Sequence, residues 1–260
     1  EIDASREPTQ RYRHPFYRRP EDLVAITPEN RPFSWDEEYR FARKAADGTL
    51  LVYPDRAAIN AGWLEDRGLE IAWVEDPVDV FFAHIQGSAR LKLSDGSVMR
   101  ITYDGKTGHP FTAIGKLLVE RGEIEPETVS MATIRQWLTD HPDRARPLME
   151  ENRSYIFFRE VAAAGNDDGP VAAAKVRLTA GRSLAVDRSF IPLGAPLWLE
   201  TVAPFPDGER PFRQLVIAQD TGGAIKGAVR GDVFWGAGDL AAYVAGHMKS
   251  QGSYYLLLPR

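Results

Sequence analysis

Residues 218–236 read AQDTGGAIKGAVRGDVFWG, and this stretch decides how the C-terminal part of the chain is interpreted. An apolar, strand-like run precedes Asp220, and three glycines follow it at Gly222, Gly223 and Gly227. Glycine permits close approach of the backbone, either by a ligand or by another strand. The stretch therefore predicts carboxylates at strand ends or tight turns, near backbone amides and apolar walls.

Further short strands, separated by glycine and proline, surround this stretch. They are predicted at 174–178, 183–186, 196–200, 214–218 and 254–258, with one helix at about 240–249 that Asp239 could cap. Many short strands at close spacing suggest a small β-barrel. A turn-rich stretch at 161–170 is the best internal boundary.

The part of the chain before this boundary mixes strand and helix patterns. An apolar, β-branched and aromatic run at 78–85 predicts a strand, and 91–103 predicts a hairpin with a type I′ turn at Asp95-Gly96. The helices are predicted at 110–122, at 130–138 with Ser130 as the N-cap, and in a short segment at 148–152, before a strand at 155–158.

Three aspartates of the C-terminal part are candidates for chemistry: Asp187, Asp220 and Asp232. Each lies beside glycine, proline or an aromatic residue. A carboxylate against Phe234 and Trp235 would be poorly hydrated, which favours its protonated form and lets it act as a general acid. The alternative is that these aspartates cap turns, because Asp is a common turn residue. For Asp220 and Asp232 together, the residues alone leave both interpretations open.

Other chemistries lack their motifs. The chain has no cysteine, which excludes disulfides and thiolate nucleophiles, and its five histidines show no close metal-ligand spacing. There is no Gly-x-Ser-x-Gly elbow, and Lys226-Gly227 does not fit a phosphate-binding Walker A loop. The net charge of -5 and the lack of a long basic run argue against nucleic acid. We expect no metal and no cofactor.

Several blocks, taken together and in order, resemble the MltA family of lytic murein transglycosylases. The family patterns correspond to residues 15–20 (PFYRRP), 81–88 (FFAHIQGS), 103–111 (YDGKTGHPF), the 130–137 region and 152–158. The C-terminal part resembles the family's 3D region, which is named for three aspartates. The match runs from about residue 12 to the end of the chain.

The resemblance implies a mainly β fold with a few short helices and two domains. Residues 1–19 and 156–260 are expected to form a double-psi β-barrel, with 20–155 as a smaller inserted β-rich domain. Relatives have an upstream stretch that ends in a Gly-Tyr-Tyr-x-Pro-like motif, so we expect one barrel strand to be missing from this chain. No apolar run approaches the roughly 20 residues of a membrane span, and the first residues do not resemble a signal peptide.

The resemblance also implies the activity of a peptidoglycan lytic exotransglycosylase, a carbon–oxygen lyase. Such an enzyme cleaves the MurNAc–GlcNAc β-1,4 bond and leaves a 1,6-anhydroMurNAc end. Asp232 carries over as the single catalytic acid/base, with Asp220 and Asp187 as supporting residues. The residues expected to contact the glycan are Gln86, Gly87, Ser88, Gly222, Gly223, Lys226 and Trp235.

The implied partners are peptidoglycan glycan strands and other cell-wall enzymes. The implied state is a monomer in the periplasm, associated with the outer membrane. Two alternatives stay open: a glycoside hydrolase on the same barrel, which would need a second carboxylate from Asp220 or Asp187, and a non-catalytic glycan-binding module.

Overall fold

A computed structural model describes residues 1–35, 39–161, 169–223 and 225–258. The chain forms two compact units, Glu1–Ala163 and Ala164–Arg260. They divide inside the turn-rich stretch 161–170 that the sequence marks as a boundary, although 162–168 lie outside the described residues. The fold is mainly β with several helices, as the sequence predicts.

The strands of the described residues are β1 (Ile2–Ser5), β2 (His14–Tyr17), β3 (Leu23–Ala25), β4 (Phe41–Lys44), β5 (Leu50–Leu51), β6 (Glu70–Val74), β7 (Ser88–Leu93), β8 (Val98–Lys106), β9 (Ile156–Val161), β10 (Ser183–Val186), β11 (Pro196–Phe205), β12 (Gly208–Asp220), β13 (Gly231–Val233) and β14 (Ser253–Leu256). The helices are α1 (Arg56–Ala58), which continues as a π-helix over Ile59–Trp63, α2 (Pro77–Gln86), α3 (Ile114–Glu120), α4 (Met131–Asp140), α5 (Pro142–Glu151) and α6 (Asp239–His247), with a 3-10 turn at Pro126–Thr128.

The first unit is built on a six-stranded sheet in the order β2-β6-β1-β7-β8-β9. Its core includes Phe16 and Phe158, both fully buried, whose rings meet edge to face at 5.5 Å. The sequence assigns strands β1 and β2 to a barrel. In the structure both strands hydrogen-bond to β6, and β1 also hydrogen-bonds to β7. The assignment of 1–19 and 156–260 to one barrel stays a prediction.

The predicted strand at 78–85 is wrong, because this run is helix α2. Asp76 Oδ1 accepts from the Val78 N–H at 2.8 Å, Pro77 occupies the first turn, and Gly87 ends the helix with φ 73°. Val80 packs on the sheet, whereas Phe81 packs against α3–α5. A helix buried on two sides has apolar residues all round, so its periodicity cannot be distinguished from that of a buried strand.

The hairpin of β7 and β8 is confirmed, but its turn is not type I′. The Leu93 carbonyl accepts from the Gly96 N–H at 2.9 Å, and the Leu93 N–H donates to the Ser97 carbonyl at 2.8 Å. Gly96 has φ 84°, whereas Asp95 does not have a positive φ. The loop therefore has three residues with a left-handed glycine, a turn that Asp95-Gly96 also permits.

Helices α3–α5 form a second core in the first unit. Ser130 caps α4 as predicted, since its hydroxyl accepts from the Thr133 N–H. The Thr133 hydroxyl in turn accepts from the Ser130 N–H. Helix α3 begins at Ile114, later than the predicted start at 110, and α5 is longer than the predicted short helix.

The second unit is a five-stranded sheet in the order β13-β10-β12-β11-β14. Strand β10 runs parallel to β12 and antiparallel to β13, and buried side chains such as Leu184 and Val216 form the core. The predicted strand at 174–178 is wrong: Val171 and Arg177 make one isolated bridge around a turn in which Lys175 has φ 63°. The predicted helix is α6, although Gly238 rather than Asp239 occupies its N-cap position.

Candidate active site

Strand β10 brings two of the three aspartates into one row of the sheet. Ala185 is the register partner of Asp220 on β12 and also of Asp232 on β13. Laterally paired residues face the same side of a sheet, and neighbouring strands lie about 4.8 Å apart. The Cα atoms of the two aspartates are therefore about 10 Å apart, on either side of Ala185.

An irregularity in the sheet sets this register. Leu184 pairs with Ala218, but the next residue, Ala185, pairs with Asp220, so that Gln219 is the extra residue of a bulge. A bulge redirects the side chains that follow it. The Gln219 Oε1 atom accepts from the hydroxyl of fully buried Ser183, which anchors the extra residue beside β10.

Asp187 follows the end of β10 and fastens the glycine-rich loop. Its Oδ2 accepts from the Gly227 N–H at 2.9 Å, and its Oδ1 accepts from the Ser189 N–H at 3.0 Å. The bond from Gly227 and then that from Ser189 hold the pKa of Asp187 below its ordinary value. Both oxygens are thus engaged with backbone, and Asp187 positions the segment that connects Asp220 to Asp232.

Asp232 has a different environment from the one that the sequence predicts. Its carboxylate is 48% exposed and is bound by the Arg230 guanidinium, Nε to Oδ1 at 2.7 Å and Nη2 to Oδ2 at 3.2 Å. The predicted apolar surroundings are therefore wrong. Trp235 instead packs on Phe212, with ring centres 4.9 Å apart, and its indole N–H points to the sulfur of Met248.

Asp220 is half-buried, and its Oδ1 accepts from the Ala173 N–H at 3.1 Å. In the loop that follows, a Cβ on Gly222 would lie 2.9 Å from Ile225 Cδ1, whereas Gly223 has open space around it. Lys226 is exposed and acts on Asp187 through its charge. A side chain at position 222 would therefore require the Ile225 side chain to move, which gives Gly222 a packing role that is independent of any ligand.

The three glycan-contact candidates of the first unit lie at the junction of α2 and β7. Gly87 ends the helix in the left-handed conformation, and Ser88 pairs with Thr102. The Gln86 side-chain amide points to the Met131 sulfur at 3.7 Å. Helix termination accounts for Gly87, and a role of these residues in glycan binding stays a prediction.

Arg230 is the site residue that the sequence analysis missed. Arg230 precedes β13 by one residue and lies two positions before Asp232, so the Arg-Gly-Asp step at 230–232 was the available signal. Within the described ranges, no group of three or more His, Cys, Asp or Glu side chains could hold a metal ion.

Two family models match the chain. The model for the MltA specific insert domain matches residues 1–159, and the model for the 3D domain matches residues 182–258, which include all three aspartates. The chain belongs to the MltA family. The first of these matches also contains residues 1–19.

Relatives in the MltA family align over most of the chain. Membrane-bound lytic murein transglycosylase A of Escherichia coli K12 is 37% identical over 212 residues, which is 78% of this chain and 56% of that protein. The chain thus spans just over half the length of the curated relatives that it matches. The crystal structure of membrane-bound lytic murein transglycosylase from Agrobacterium tumefaciens is 48% identical with a TM-score of 0.91, and the match covers 99% of this chain and 71% of that one.

A solved relative also carries a bound glycan oligomer. E. coli MltA with bound chitohexaose is 30% identical with a TM-score of 0.78, over 98% of this chain and 67% of that one. The E. coli K12 relative is named as membrane-bound. In this chain, no helix among the described residues is long and apolar enough to cross a membrane.

Proposed function

We propose that this protein is a lytic transglycosylase that cleaves the MurNAc–GlcNAc β-1,4 bond of peptidoglycan and leaves a 1,6-anhydroMurNAc end. The observation that carries the proposal is the row Asp220–Ala185–Asp232, which holds two carboxylates on one face of the sheet. Membership of the MltA family and the chitohexaose bound to a relative support the choice of a glycan substrate.

Of the three aspartates, Asp232 is the best suited to transfer a proton. Asp187 binds two backbone N–H groups and Asp220 binds one, whereas the described contacts of the Asp232 carboxylate are to the Arg230 side chain alone. An exposed ion pair is weak, so Arg230 can leave the carboxylate when a sugar approaches. Once released from the guanidinium, the Asp232 carboxylate takes up a proton from solvent and can then protonate the leaving oxygen.

A single acid/base is sufficient when the nucleophile belongs to the substrate. The C6 hydroxyl of the sugar is tethered to the reacting ring, which gives it a high effective concentration compared with free water. Asp232 protonates the glycosidic oxygen, becomes ionised and then accepts the C6 hydroxyl proton. Asp220, about two strand spacings away, stabilises the positive charge that develops on the ring.

The finer features of the family complete the proposal. The C-terminal strands contribute to a double-psi β-barrel, together with residues 1–19 as the sequence suggests. The glycan contacts come from Gly222, Gly223, Lys226, Trp235 and the 86–88 junction. The enzyme is a monomer that cleaves from the end of a glycan chain. It acts in the periplasm, associated with the outer membrane and with other cell-wall enzymes.

A two-carboxylate glycoside hydrolase is the second candidate. The lateral pairing favours it, because inverting hydrolases hold their two carboxyl groups about 6.5–9.5 Å apart, and Cα atoms about 10 Å apart can place side chains in that range. Water would then be the nucleophile, with Asp220 as its base. A non-catalytic glycan-binding module is the third, and the absence of turnover would favour it.

Mass spectrometry of the products from purified sacculi separates these candidates. The lyase predicts anhydro ends with no new reducing ends. Reducing MurNAc ends as the main product would reject the lyase and favour the hydrolase. Sacculi that are bound but not cleaved would favour the binding module.

A further inference from the structure

Two adjoining cavities of the first unit share two arginines. Their volumes are about 350 and 470 Å³, and Arg18 and Arg19 line both. Arg159 lines the smaller cavity, and Arg67 lines the larger one. These volumes are in the range of small-molecule sites, so each cavity, lined by three arginines, could hold a short polar ligand.

Hydrogen bonds to carbonyl groups hold the backbone of Arg18 and the guanidinium of Arg19. The Arg18 N–H donates to the Leu69 carbonyl at 2.8 Å, and the same residue bridges to Phe158. The Arg19 guanidinium donates to the Leu23 carbonyl through Nε and Nη2, at 3.2 and 2.7 Å. Groups that are already ordered lose less entropy when they bind a ligand.

These two arginines also carry charge that no carboxylate neutralises among the described residues. Arg67 pairs with Asp22 at 3.1 Å, and Arg159 lies 3.8 Å from Asp104. Among the described residues, the one hydrogen bond of the Arg18 side chain goes to the Glu70 carbonyl, at 3.4 Å. A planar guanidinium with free N–H groups matches a carboxylate, which it can bind in a bidentate manner.

The walls contain acidic groups as well. Asp104 and Glu160 line the smaller cavity, and Glu21 lines the larger one. These groups disfavour a compact dianion such as phosphate by like-charge repulsion, and they favour a ligand that carries an ammonium group beside its carboxylates. The peptide stems of peptidoglycan have this mixed charge, since they contain free carboxylates and a diamino acid.

We propose that these cavities, which we call the Arg18–Arg19 cleft, bind the peptide stem of the peptidoglycan substrate. The guanidiniums of Arg18 and Arg19 bind stem carboxylates, and the acidic groups of the walls bind the amino group. This inference rests on the proposed function, because it assigns a second recognition element to the same substrate.

The test measures binding of a synthetic stem tetrapeptide with a γ-linked glutamyl residue and a diamino acid, by calorimetry and amide NMR on the full chain. The wild-type protein should bind it and shift the amide signals of Gly68 and Leu69, which line the larger cavity. Arg18→Ala should weaken binding about tenfold, the effect of losing a hydrogen bond to a charged group. Arg13→Ala is the matched control, because Arg13 is exposed, carries the same charge and lies outside both cavities.

Three results would overturn the inference: no binding of the tetrapeptide, an equal loss in Arg18→Ala and Arg13→Ala, or equal binding of inorganic phosphate at the same amides. Glycan strands stripped of peptide, incubated with the wild-type protein, separate this inference from the proposed function. If these strands are cleaved but the peptide does not bind, the inference alone fails. If the peptide binds and neither the stripped strands nor intact sacculi are cleaved, the proposed function fails and the cleft assignment stands.

Discussion

Replacing Asp232 with asparagine tests the proposed chemistry most directly. Asn keeps the shape of the side chain but cannot exchange a proton at neutral pH. The partner side chains, Asp232 and Arg230, are 48% and 56% exposed, and surface ion pairs of this kind contribute at most about 1 kcal/mol to stability. We therefore expect the folded protein to survive the substitution with little change in melting temperature.

The expected effect on rate is much larger than the effect on stability. Loss of a general acid–base typically lowers the rate by roughly two to four orders of magnitude, which corresponds to about 3–6 kcal/mol in the activation barrier. The assay is release of soluble fragments from purified sacculi, with co-sedimentation of protein and sacculi as the measure of retained binding. Asp220→Asn should have a smaller effect on the rate of release.

Asp239→Asn provides a matched control for this experiment. Asp239 is an exposed aspartate at the start of α6, outside the row of aspartates. Its replacement should leave rate, binding and melting temperature unchanged. An Asp232→Asn protein that releases fragments at the wild-type rate would refute the assignment of Asp232 as the acid/base.

Three further predictions concern the loop that Asp187 anchors, the buried His84 of helix α2, and metal dependence. The pKa of Asp187 lies below its ordinary value of 3.8, so its hydrogen bond from the Gly227 N–H should be complete above pH 3.8 and be lost as pH falls through the lowered pKa. The chemical shift of the Gly227 amide should titrate in that range. The same titration in Asp187→Asn would contradict the anchoring. Burial, and then the charge of Arg56, hold the pKa of His84 well below its ordinary value of 6.5. The unfolded state therefore binds the proton first, and the free energy of unfolding should fall as pH drops below about 6.5. Urea unfolding between pH 5 and 7 should show this decrease, and His84→Gln should reduce it. Turnover should survive EDTA, and activity that EDTA abolishes and added metal restores would show that the interpretation of the site is wrong.

The aspartate row illustrates how far the sequence leads at the site. The spacing and glycine content of 218–236 single out Asp220 and Asp232, and the structure places both beside Ala185. The environment of Asp232 could not be predicted in this way. The local sequence suggests that Trp235 packs against the Asp232 carboxylate. The orientation of the Trp235 ring is instead set by its packing on Phe212 of β12.

Local signals determined the elements whose physics is local. The cap at Ser130, the strand over 183–186 and the left-handed glycine at Gly96 follow from neighbouring residues, because caps and turns are made by groups a few positions apart. The period of 78–85 did not reveal a helix, since an element buried on two sides loses the polar face that shows its period, although Asp76, Pro77 and Gly87 mark the ends of the helix locally. Tertiary structure alone decided the lateral pairing of the aspartates and the cleft at Arg18 and Arg19, which join residues distant in the chain through strand register and packing.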